Sequence, residues 1–186
     1  MRKCDRMLRA LLVLAMAAMP FLRPHPVMAA SGAELSRDAA AALEALYAGT
    51  PRAKELGAKA KGILVFPTIV KAGFIVGGQY GEGALLKGSK TVAYCNTVAA
   101  SYGLQAGAQS FGYALFFMTD SALKYIDKSG GWEIGTGPSI VVVDEGMARS
   151  MTTTTLQSDI YAFFFGQRGL MAGLGLQGSK ISRINK

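Results

Sequence analysis

A chain of 186 residues with a formal net charge of +8, a pI near 9.6 and 51% hydrophobic side chains is long enough for one domain with its own core. Its one histidine, His25, lies near the amino terminus. The sequence after it holds none, which excludes Ser-His-Asp and Cys-His nucleophile systems and the usual zinc ligand sets.

The first thirty residues read as an export signal. Arg2, Lys3, Arg6 and Arg9 form a basic head and Ala10 to Met19 an apolar run. Val27-Met28-Ala29-Ala30 supplies the small residues of a cleavage site, after Ala29 or Ala30. The apolar run is far short of the ~20 residues a membrane-spanning helix needs. Residues 31–186 are therefore expected as a single exported domain of the periplasm or cell envelope. They carry 15 basic and 11 acidic side chains, a net charge of +4, which permits attraction to anionic surfaces without demanding it. Cys4 leaves with the leader, so Cys95 has no intrachain disulfide partner and reads as a buried, inert thiol.

Leu35, Ala39, Leu43, Leu46 and Tyr47 recur at helical spacing and predict a helix over Glu34–Gly49. Thr50-Pro51 then resembles an N-cap followed by proline at the first helical position, opening a second helix to about Lys61. From Ile63 onward, β-branched and aromatic segments separated by glycines predict an antiparallel β architecture. The segments are Ile63–Phe66, Gly73–Val76, Thr91–Val98, Phe111–Met118, Ser139–Val143, Met151–Leu156 and Ile160–Phe165. Asp120–Asp127 interrupts them as a short helix or long loop.

Tyr113, Leu115 and Phe117 alternate with Ala114, Phe116 and Met118, so both faces of that strand are apolar and both must be covered. A small barrel of about six to eight strands, with the N-terminal helices packed outside, meets that demand. The fold class is α+β, mainly β, with a closed or nearly closed antiparallel barrel. All 23 glycines follow the leader, many within strand-like segments, as barrel curvature requires.

Several motifs carry no chemistry. Gly83–Lys90 and Gly173–Lys180 nearly spell phosphate-binding loops, but Ser and Lys come in the wrong order and no helix follows, so both read as lysine-tipped turns. Asp144-Glu145 is an adjacent carboxylate pair whose members face opposite sides of a strand. A hydrolase using those two is the weakest alternative. The Thr152–Thr155 run and Phe163-Phe164-Phe165 read as strand and core. Thr91 to Thr119 carries no formal charge, yet its glutamines and glycines make a poor spanning helix, and the doubly apolar strands argue against a lipid-facing barrel.

The lysines remain as candidate binding groups. Lys54, Lys59 and Lys61 cluster at the second helix, Lys71 follows, and Lys87 and Lys90 flank a predicted turn. Four of them at an anionic membrane supply about 4 kcal/mol, a millimolar-scale dissociation constant. No catalytic set, metal site or cofactor is expected.

Ala60–Pro67, Lys71–Phe74, Gly77–Gly83, Trp132–Ser139, Val142–Met147 and Gly169–Lys180, in this order, resemble the bacterial branch of the SYLF, or yeast Ysc84-like, lipid-binding family. The resemblance spans Ser36 to Ile184. It implies a non-catalytic β-barrel core with surface helices and affinity for phosphoinositides or other anionic lipids. In eukaryotic relatives a basic N-terminal helical segment is linked to lipid binding, and the matching stretch holds Lys54, Lys59, Lys61 and Lys71. The actin binding and the SH3 or FYVE partner domains of those relatives are not expected of an exported chain. Nor is nucleic-acid binding. The alternative is a cell-envelope structural or protein-interaction module, its partner unknown.

Overall fold

The computed structural model describes residues 30–128, 130–143, 157–169 and 178–186. The export signal, Asp144-Glu145, the strand expected over Met151–Leu156 with its threonine run, and Gly173 to Gln177 lie outside the described residues.

Helix α1 spans Gly32–Gly49 and starts on a capping box. Ser31 Oγ accepts from the Glu34 amide at 3.3 Å, and Glu34 Oε2 accepts from the Ser31 amide at 2.8 Å. Leu35, Ala39, Leu43 and Leu46 form its buried stripe. Helix α2 is shorter than expected, Pro51–Gly57, and Thr50 makes no side-chain cap. The chain must turn there to enter the sheet, where the Lys61 amide donates to the Phe117 carbonyl at 2.7 Å.

Four of the expected strands merge into two. Strand β1 runs Gly62–Lys87 and β2 runs Lys90–Phe117, paired antiparallel along their whole length across Gly88-Ser89. Glycine explains the merger, because it lets paired strands bend instead of ending. The ribbon folds back so that the two arms of β1 face each other. A methyl at Gly83 would lie 2.5 Å from the Val65 carbonyl oxygen, and one at Gly81 would lie 2.5 Å from Ile69 Cγ1. At the crease Phe74 pairs with Ala106 and Val76 with Tyr102, so β2 takes four residues where β1 takes two. The strand on the longer path absorbs the difference as a bulge.

The other edge of β2 is shared. Strand β6 (Lys180–Ile184) pairs with Tyr94–Val98, and β5 (Ile160–Gly169) pairs with Gln109–Phe117. Strand β3 (Trp132–Glu133) adds to β6, and β4 (Ile140–Val143) adds to β5. The β4–β5 pair is parallel, a correction to the wholly antiparallel expectation. A parallel pair needs a crossover where an antiparallel one needs only a turn. The result is a curled, nearly closed, mainly β sheet of six strands among the described residues.

Its two faces bury two cores. Leu64, Phe66, Leu85, Cys95, Tyr113, Leu115 and Phe117 fill the interior. Ile63, Val65, Ala114, Phe116 and Phe163 pack outward against Ala39, Leu43, Leu46, Ala53 and Leu56 of the helices. The doubly apolar β2 is thus covered on both sides, as its alternation requires. Helix α3 (Asp120–Leu123) and the 3-10 turn Lys124–Asp127 bring Leu123 and Ile126 to the interior core beside Trp132.

Candidate functional site

The expected lysines divide between places. Lys87 and Lys90 are register partners at the mouth of the β1–β2 hairpin, both exposed. Gly62, at the opposite end of the ribbon, packs against Leu85, so the fold-back brings exposed Lys61 towards the hairpin mouth. Lys54 lies exposed on α2, and Lys59 is exposed just after it. Lys71 stands apart, half-buried towards the crease and paired in register with Gln109.

At the hairpin end the fold assembles a pocket of about 230 Å³. Lys87 reaches it from β1, Asp120 and Leu123 from α3, Lys124 and Asp127 from the 3-10 turn, and Arg183 from β6. The Arg183 guanidinium meets Asp127 at 3.0 Å. The other charged groups of the lining are Lys87, Lys124 and Asp120. Both partners of the Arg183–Asp127 pair are about half exposed, so the pair adds little stability.

Sequence reasoning singled out Lys87 and missed Lys124 and Arg183. They sit far apart along the chain and meet only because β6 pairs beside β2 while α3 folds across the same end. Arg183 pairs in register with buried Cys95, a relation that no spacing rule reveals.

A second concavity, apolar and larger, lies between α1 and β5. Phe163 is buried there, as expected of core, whereas Phe164 and Phe165 are only partly covered. Cys95 is buried, and burial pushes its thiol up to about 12. Burial likewise raises the Tyr113 phenol, although its hydroxyl donates to Thr97 Oγ1 at 3.1 Å. Among the described residues no cluster of three or more His, Cys, Asp or Glu side chains is placed to hold a metal, and no helix is long and apolar enough to cross a membrane.

Residues 98–186 match the family described as Ysc84, Las17-binding protein actin regulator. The matched span begins inside β2 and takes in α3 and β3 to β6. The helices α1 and α2 and strand β1 precede it, yet β1 is hydrogen-bonded to β2 along its length and belongs to the same sheet. Both Lys124 and Arg183 of the cationic pocket fall within the matched span, and Lys87 lies outside it. No curated protein matches the chain.

Proposed function

We propose that this protein is an exported, peripheral binding module that recognises anionic lipid head groups at a membrane surface and catalyses no reaction. The observation that carries the reading is the convergence of Lys87, Lys124 and Arg183, three cations against the two carboxylates of Asp120 and Asp127, on one pocket at the end of the barrel. Phosphate oxygens suit such a site, because a guanidinium offers a fixed fork of donors and the lysines add mobile point charges. Lys61 and Lys90 at the same end extend the attractive field, and Lys54 and Lys59 on the helical side add to it. Lys71 is a contributor of a different kind, half-buried and remote from the pocket. Neither nucleic acid nor actin is a proposed partner.

Co-sedimentation with vesicles tests this. Binding to phosphatidylglycerol-containing vesicles and not to phosphatidylcholine vesicles is expected, and 0.5 M salt should release the protein. The double variant Lys87→Gln/Lys124→Gln should weaken binding about thirtyfold, taking each lysine as roughly 1 kcal/mol. Indifference to lipid charge and to salt overturns the proposal.

One observation favours a second reading, a protein-interaction module of the cell envelope. Val70, Val76, Tyr80 and Val98 are each about half exposed on the bent ribbon. A run of exposed apolar groups of this kind suits a protein partner. Capture of one stoichiometric envelope protein, with no vesicle binding, would select that reading.

A further inference from the structure

The larger concavity, about 760 Å³, is bounded by Ala42, Ala45 and Leu46 of α1, Pro67 of β1, Val143 of β4 and Phe165 of β5. Among the described residues no charged side chain lines it. A cleft of this volume holds a ligand of ordinary small-molecule size, and its walls favour hydrocarbon. A charge drawn fully inside would be desolvated without a partner, so the polar end of a ligand must stay at the rim.

A cation is brought to that side of the sheet by a local irregularity. Gly166 takes φ +62, and the β2–β5 register slips so that Phe165 pairs with Gly112 but Arg168 pairs with Ser110. Residues 110 and 112 share one face of β2. The extra residue in β5 therefore places Arg168 on the face of Phe163 and Phe165, the cleft side. Strict alternation without the bulge would turn it to the face of Phe164, which packs on the interior core. Arg168 follows Gln167, itself part of the cleft wall, and is exposed without an ion pair among the described residues.

We propose that this cleft takes one acyl chain and that Arg168 holds the anionic end of the same molecule. The ligand class is a single-tailed amphiphile with a carboxylate or phosphate head. The site goes beyond surface adsorption, which uses the cationic pocket around Lys87, and it requires no bilayer.

The test uses the purified protein without vesicles and reads displacement of 1-anilinonaphthalene-8-sulfonate by oleate, lysophosphatidic acid or oleyl alcohol, each below its aggregation concentration. Saturable one-to-one binding is expected, tighter for the two anions than for the alcohol. The oleate and lysophosphatidic acid arms decide between carboxylate and phosphate. Arg168→Gln should weaken anion binding about tenfold and leave the alcohol unchanged. Ala45→Trp fills the cleft from an exposed helix position and should abolish binding of all three. If its circular dichroism shows a misfolded chain, Ala42→Leu takes its place with the same expectation. Absence of saturable binding overturns the proposal, as does a cleft-filling variant that binds normally or an Arg168→Gln variant with unchanged anion affinity. Vesicle binding by the same preparation would then still stand. Conversely, Lys87→Gln/Lys124→Gln should retain oleate binding.

Discussion

Burial fixes the chemistry of Cys95. Its side chain is enclosed in the interior core, and desolvation of the thiolate, only partly opposed by Arg183, raises the pKa to about 12. A raised folded-state value stabilises the fold below the unfolded thiol pKa of 9.0, and this contribution is lost as pH rises towards 12. At pH 8 the native thiolate fraction is lowered roughly a thousandfold, so Ellman's reagent should react slowly with folded protein and at once in guanidinium. Equal rates in the two states would contradict the buried placement. Glycine acts at the same scale. No side chain fits at Gly83 without displacing the Val65 carbonyl or the Phe66 ring, so the arms of β1 approach closely only because those methyls are missing.

At the scale of elements, Asp159 joins the starts of β4 and β5 across the undescribed connection. Its Oδ2 accepts from the Ser139 amide at 3.1 Å and from the Ser139 hydroxyl at 3.0 Å, and its own amide donates back to Ser139 Oγ at 2.9 Å. Those bonds from Ser139 hold the carboxyl below its ordinary value of 3.8. The stability it contributes is present above that value and is lost as pH falls through the lower folded-state value. Asp159→Asn should therefore lower Tm at neutral pH and flatten its fall in the acid range, as read by thermal unfolding across pH. An unchanged acid slope would show that the carboxylate does not clamp the parallel pair. Ser139 and Asp159 were not legible as partners, because a parallel pairing joins strand starts through a crossover of no fixed length.

The whole molecule depends on β2, which carries both cores. Phe116 packs on Tyr47 of α1, with ring centroids 6.4 Å apart, and on Phe163 of β5 at 5.1 Å. One residue away, Phe117 meets Trp132 in the interior core at 6.0 Å. Phe116→Ala should cost about 3–5 kcal/mol. Because the cores share one strand, helix and sheet signals should be lost in a single transition during chemical unfolding. A helix transition that precedes the sheet transition would show the helices to be an independent layer. The pocket at the hairpin end belongs to this scale as well, since it gathers side chains from β1, α3, the 3-10 turn and β6.

Alternation of apolar residues on both faces of Tyr113–Met118 determined, from sequence alone, that the sheet is covered twice and that helices lie outside it. The helical stripe of α1, the Lys87–Lys90 turn and the buried thiol were legible for the same reason: each rests on neighbours a few residues apart. Where β1 bends without breaking, which strands run parallel, and which cations meet Lys87 were decided only by tertiary structure. Glycine marks where a chain is able to bend but not which way, and charges distant in sequence converge only once pairing has set the register. Arg168 shows the limit most plainly. One inserted residue at Gly166 chooses its face of the sheet, and nothing in the local alternation announces the insertion.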